Sequence, residues 1–314
     1  MELSLQQTFL AVFGGLALLA GGASVLVHRL MVRTTDPDKL TWIGQLNSRL
    51  QASWLILLLF AVGFALGEVA LAVIFALASF FALREFVALT PTKPADHVAL
   101  IIAFYVAIPV QYVLVASGWY QLYAVFIPVY LFLILPVIMA WRHDVELYLQ
   151  RVAKVQWGLM LSVYCVSHAP AIATLEPPGY EGRGALLLLY FLLVVQMSEN
   201  IAVMASASFG RTPLRSNPNK SREGVLIGGV AATVLGTLLW WMTPFTWWQA
   251  ALMSAVTVFA AFVGGLVLAS VKRSLGERQW DQGVALSRGV LERLEGITFS
   301  APVFFHATVY FFVP

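Results

Sequence analysis

SVKRSLGERQWDQGVALSRGVLERLEG, Ser270–Gly296, is a long polar run in a chain that is otherwise almost entirely apolar. It carries Lys272, Arg273, Arg278, Arg288 and Arg293, with Glu277, Asp281, Glu292 and Glu295 among them. One apolar run leads into it and another, Ile297–Pro314, leaves it. Charges this dense between two hydrophobic helices have to stand in water at a membrane face, because an unpaired ion in hydrocarbon is costly. The stretch reads as the lip of a site that receives an anion.

The rest of the chain agrees with a membrane setting. Its 314 residues are 60% hydrophobic and 11% charged, with a mean hydropathy of +0.82. A soluble domain carries about 25% charged residues, so the expected class is an all-α, polytopic integral membrane protein. No hydrophilic segment exceeds roughly the thirty residues that a minimal soluble domain needs. One integral-membrane domain over 1–314 is therefore expected, with the polar motifs gathered in its C-terminal half, 185–314. Cys165 is the single cysteine, which excludes an internal disulfide framework and a cysteine zinc cluster. MELSLQQ ahead of the first apolar run has no Lys or Arg, the wrong flank for a secretory signal, so that run reads as a retained helix.

Ten apolar runs are long enough, or nearly so, to span: Thr8–Val27, Ala52–Leu66, Val69–Leu83, Val98–Ser117, Leu122–Ala140, Trp157–Ala173, Ala185–Ala205, Val225–Met242, Trp247–Leu268 and Ile297–Val313. A spanning helix needs about 20 residues. The second and third runs are short and only Gly67-Glu68 separates them, so they read either as a tight hairpin or as a re-entrant pair. With the N-terminus outside, eighteen of the nineteen Lys and Arg residues fall in inside loops, and only Arg183 falls outside. This positive-inside bias places the five basic loops in the cytoplasm, as in a bacterial inner membrane. The net charge of +3 follows from the same bias and does not point to nucleic acid. Trp and Tyr near the span ends, such as Trp119, Tyr120, Trp141 and Trp240, suit an interfacial belt.

Three places could carry chemistry. Glu199, in LLVVQMSENIAVMASA, is the one carboxylate well inside a span. Buried carboxylates at membrane depth usually face a cation, a metal or a proton path; the plainer reading is a glutamate hydrogen-bonded between helices. The basic loop FGRTPLRSNPNKSREGVLIGG places Lys220, Ser221 and Glu223 at a helix start, with Ser221 as its N-cap. Such starts favour phosphate, although basic loops are also ordinary topology signals. The polar run Ser270–Gly296 is the third. His28, His97, His143, His168 and His306 lack metal-ligand spacing and read as packing or interface residues. Gly228-Gly229 and Gly264-Gly265 read as close helix contacts.

Taken together, these places resemble the phosphatidate cytidylyltransferase (CDP-diacylglycerol synthase) family. Its C-terminal signature reads S-x-x-K-R, K-D, H-G-G and D-R-x-D. Without a gap, Lys272-Arg273 match the K-R and Arg278-Gln279 fall on the K-D. Ser287-Arg288-Gly289 then fall on the H-G-G, and Glu292-Arg293-Leu294-Glu295 on the D-R-x-D. Asn217-Pro218-Asn219-Lys220-Ser221-Arg222-Glu223-Gly224 resembles S-P-x-K-T-x-E-G, and Ser198-Glu199-Asn200-Ile201-Ala202 lies where the family has S-N-D-x-A. Family members hold a divalent metal on aspartates. Here the matching positions are Asn200, Gly265, Glu292 and Glu295, so two carboxylates are lost and two are longer by a methylene.

The resemblance implies transfer of CMP from CTP to phosphatidate, giving CDP-diacylglycerol and pyrophosphate. Lys272, Arg273, Glu292, Arg293 and Glu295 would form the catalytic set, and Lys220, Ser221, Glu223 and Arg288 would bind substrate. Glu199, Asn200, Glu292 and Glu295 would hold Mg²⁺. The partners implied are CTP, phosphatidate or a related lipid phosphate, and membrane lipids; a homodimer is compatible with this. Two other readings use the same cavity. One is a catalytically impaired homologue acting as a lipid- or anion-binding scaffold. The other is a transporter, against which stands the absence of basic residues within the spans.

Overall fold

The computed structural model describes residues 5–34, 37–90, 92–142, 144–214, 217, 220–276 and 289–313. Their regular structure is helical, with one isolated bridge between Pro213 and Ser221. Ten long helices follow one another: α1 Leu5–Arg33, α2 Pro37–Leu66, α3 Glu68–Ala88, α4 Pro94–Ala116 and α5 Tyr120–Ala140. Next comes α6 (148–173), which passes through a widened turn at Met160–Tyr164. The series ends with α7 Gly184–Phe209, α8 Arg222–Leu238, α9 Trp247–Ser274 and α10 Glu295–Phe312. Each apolar run lies largely within one of these helices. Six of them, α1, α3, α4, α5, α7 and α9, are long and apolar enough to cross a membrane.

The second and third runs, expected as a tight hairpin or a re-entrant pair, lie within two longer helices. α2 begins at Pro37, a residue suited to a first helical turn, and its apolar part is only Ser53–Leu66. Hydropathy registers the apolar part of a helix and misses polar turns that continue it. Gly67 joins the pair at φ +94°, where a side chain would be strained.

Residues 1–74 belong to one compact unit and most of the remainder to a second. In the first, Phe9 and Phe13 of α1 stack on Phe64 of α2 at 5.2 and 5.4 Å. Trp54 Nε1 donates to Ser24 Oγ at 3.1 Å.

In the second unit α7 is the enclosed helix. In its most apolar window 61% of residues are buried within the protein, against 6% for α1. A helix that is apolar all round belongs inside. Phe191 of α7 packs on Phe304 of α10 with ring centroids 5.3 Å apart, and Tyr190 hydrogen-bonds Ser254 of α9 at 2.6 Å. Gly228 of α8 sits against the backbone of Ser198 and Ala202, and Gly264 of α9 against Phe299, as close helix contacts require. Ion pairs from α6 tie the start of α4 to the α5–α6 connection. The buried Arg151 reaches Asp96 at 3.1 Å and Asp144 at 2.6 Å. The hydrogen bond from Arg151 holds the Asp144 carboxyl below its usual range.

Candidate active site

Four segments of the second unit meet at one end: α7 beyond its middle, the loop ahead of α8, the last turns of α9 and the start of α10. α7 brings Glu199, whose Oε1 lies 3.9 Å from Lys220 Nζ. Asn200, the next residue and about 100° further round the helix, is exposed. Of the two expected metal ligands on α7, the structure brings Glu199 to the cluster and not Asn200.

The loop that presents Lys220 is held by its own backbone. Leu214 N–H donates to Lys220 C=O at 2.9 Å, and Lys220 N–H donates to Asn217 C=O at 3.0 Å. Ser221 is the N-cap of α8: its Oγ accepts from Gly224 N–H at 3.0 Å, while its own N–H donates to Ser206 Oγ at 2.8 Å. Glu223, ahead of the apolar part of α8, accepts from the N–H groups of Arg211 and Thr212, both at 3.1 Å. It also accepts from the Thr212 hydroxyl. These bonds, that of the hydroxyl foremost, hold its carboxyl down at about 2. Ser221 and Glu223 thus shape the loop that carries the lysine.

α9 contributes Lys272 from its last turn, where a cation complements the helix dipole. Lys272 is buried and Arg273, beside it, is exposed. Gly265 is seven residues earlier, two turns back on the same face. A Cβ on Gly265 would stand 3.7 Å from the carboxyl carbon of Glu295. Glu295 opens α10, is 5% exposed, and its Oε1 is buried without a hydrogen-bond partner. The charges of Lys220, Glu199, Lys272 and Glu292 lie near enough to act on it. Gly296 follows, and a Cβ there would meet Glu199 Oε1 at 2.5 Å. The start of α10 therefore lies directly against Glu199.

Lys220, Lys272, Glu199, Glu292 and Glu295 form one charged cluster. Arg293 is half-buried in the turn Val290–Arg293 just ahead of α10. Arg288 lies outside the described residues. The sequence reading missed Glu85 of α3, whose carboxylate accepts from Val290 N–H at 2.7 Å and from Leu291 N–H at 2.8 Å. The signal was the Arg84-Glu85 pair ending an apolar run, but its partner lies some two hundred residues away.

A family model described as the cytidylyltransferase family matches residues 47–311, which include every segment of this cluster. The chain belongs to the cytidylyltransferase family. It is a membrane nucleotidyltransferase of that type. It is 30% identical to the uncharacterized protein YnbB of Escherichia coli over 270 residues, covering 84% of this chain and 87% of that one. It is 28% identical to the phosphatidate cytidylyltransferase of Helicobacter pylori strain 26695 over 58% of this chain and 72% of the relative. Against the phosphatidate cytidylyltransferase of Mycobacterium leprae the identity is 35%, over 40% of this chain and 41% of the relative.

The cluster offers chemistry that a cytidylyltransferase can use. Two lysines offer charge to phosphate, and a carboxylate oxygen is buried with no donor facing it. Among the described residues no three His, Cys, Asp or Glu side chains are grouped to hold a metal by themselves. Mg²⁺, however, usually binds through one or two carboxylates plus substrate phosphates and water. Glu295 and Glu199 fit that shared arrangement, not an all-protein cage.

Proposed function

We propose that this cytidylyltransferase moves CMP from CTP to phosphatidate, releasing pyrophosphate and leaving CDP-diacylglycerol. The observation that carries this reading is the convergence of Lys220 and Lys272 on the buried Glu295, at the end of the bundle where the family's motif residues meet. A phosphate oxygen of the lipid attacks the α-phosphorus of CTP. The new P–O–P bond forms as the bond between the α-phosphorus and its bridging oxygen breaks, and pyrophosphate leaves with the electron pair. The attacking oxygen is already anionic near neutral pH, so no general base is needed. The protein's share is to align two highly charged groups and to neutralise them.

In this reading Lys220 and Lys272 hold phosphates. Ser221 and Glu223 fix the loop that aims Lys220, and Arg273 and Arg293 add positive charge nearby. Glu199 and Glu295 would hold a Mg²⁺, with Glu292 adding negative charge beside them, and the ion would supply charge neutralisation when bound. The motif loops face the cytoplasm, where CTP is found, and the lipid reaches the cluster from the inner leaflet of the plasma membrane. Assembly of two chains as a homodimer is compatible with this reading.

Purified protein given radiolabelled CTP and phosphatidic acid vesicles, with and without Mg²⁺ or Mn²⁺, tests the reading. Labelled CDP-lipid that needs both the lipid and the metal is expected. Folded protein that binds CTP but forms no CDP-lipid with any lipid phosphate would overturn it in favour of the scaffold.

A further inference from the structure

The turn Val290–Arg293 is only four residues long, and a helix this short does not hold itself in water. Its first N–H groups have no acceptor within the helix, as at any helix start. The residue before it is Gly289, which has no side chain to cap them. The acceptor comes instead from across the fold. Both carboxylate oxygens of Glu85, near the end of α3, receive these donors: Oε1 from Val290 N–H at 2.7 Å and Oε2 from Leu291 N–H at 2.8 Å. Hydrogen bonds to a carboxylate are shorter and roughly twice as strong as neutral ones. The two-oxygen grip fixes direction as well as position.

The held turn carries Glu292 and Arg293, and Glu295 follows two residues on. Leu291 and Leu294 are buried and anchor the turn by their side chains, but apolar packing is non-directional. It does not decide which way the charged residues between them point.

We propose that Glu85 is a positioning residue: its carboxylate sets the Val290–Arg293 turn and so aims Arg293, Glu292 and Glu295 at the phosphate end of the protein. In its catalytic consequence this rests on the proposed function. Glutamine at 85 has one acceptor oxygen and turns an NH₂ donor toward an N–H. Aspartate keeps both acceptors on a side chain one methylene shorter.

The test uses the full chain in lipid nanodiscs, as wild type, Glu85→Gln and Glu85→Asp. Hydrogen exchange is read at peptides covering 290–294, alongside CTP-dependent CDP-lipid formation. In Glu85→Gln, exchange at Val290 and Leu291 should quicken about tenfold while α7 and α9 stay protected. kcat should fall at least tenfold with the KM for CTP within twofold of wild type, and Glu85→Asp should recover part of both. Unchanged exchange in a folded Glu85→Gln protein overturns the proposal, as does unchanged kcat in a protein whose wild type is active. If wild type forms no CDP-lipid, the proposed function fails, and the exchange result alone decides whether Glu85 holds the turn. Should Glu85→Gln fail to fold, Glu85→Asp with slow exchange at 290–291 and near-normal kcat supports the proposal. Fast exchange there with normal kcat overturns it.

Discussion

Glu199 Oε1 lies 2.5 Å from where a Cβ on Gly296 would stand, so the absent side chain at 296 is what lets the glutamate occupy its place. Gly265 differs: a Cβ there would be 3.7 Å from Glu295, an ordinary contact. The two glycines should respond differently to the same substitution. In Gly296→Ala the end of the flexible glutamate can swing aside, but the new methyl also meets Cγ1 of the buried Val195 at 2.9 Å, so the stability cost should be of the ~1–3 kcal/mol order of overpacking a core. Activity should also fall at least tenfold, because the carboxylate has moved. Gly265→Ala should keep activity within about twofold. CDP-lipid formation and thermal unfolding, measured together, check the contrast, and equal losses in both variants would refute it.

Glu295 is buried beside other carboxylates, and one of its oxygens has no hydrogen-bond donor. Burying such a charge is costly to the fold, and groups kept at that cost are typical of functional sites. Glu295→Gln should therefore unfold at the same temperature as wild type or higher, while losing at least 90% of CDP-lipid formation. Lower stability with unchanged activity would make Glu295 a structural residue.

The loop ahead of α8 should be insensitive to pH until strongly acid conditions. Glu223 is held at about 2 by the Thr212 hydroxyl and the N–H groups of Arg211 and Thr212. Its pKa is depressed on folding, so its contribution is fully present above its ordinary value of about 4.3 and is lost as pH falls toward 2. Exchange at Arg211 and Thr212, corrected for intrinsic rates, should be flat from pH 8 to about 5 and rise below about 4. In Glu223→Gln it should be fast throughout that range. A rise centred near pH 6 would contradict the assignment.

Topology can be tested on exposed positions outside the helices' apolar parts. In a Cys165→Ala background, a cysteine replacing Glu181 should react with an impermeant thiol reagent added to intact cells. One replacing Ser274 should react only after the membrane is opened. The reverse pattern would invert the orientation read from the basic loops.

The ten helices were legible because each announces itself locally: an apolar run ends at charged residues that cannot follow it into lipid, or at a short polar, glycine or proline break such as 118–121 and 243–246. The basic residues that sort the loops are likewise a property of composition along the chain. Ser221 as the cap of α8 was legible for the same reason, since its partner Gly224 is three residues away. The polar turns that lengthen α2 and α6 were not, because hydropathy is blind to helix outside the apolar part.

The candidate site was legible only as separate residues. Sequence put Glu199 and Asn200 side by side as candidate ligands, but which of them turns toward Lys220 depends on how α7 is rotated in its packing. Glu295 could be aligned with a family aspartate, yet its place beside Gly265 depends on how α9 and α10 pack. Glu85 carried no signal of its partnership with Val290 and Leu291, more than two hundred residues further along the chain. By itself the sequence determined the class, the helices and the identity of the charged residues, because these follow from the transfer of local segments between water and lipid. Only the tertiary structure decided which charges meet, because a charge acts over a few ångströms in space and chain distance says nothing about that.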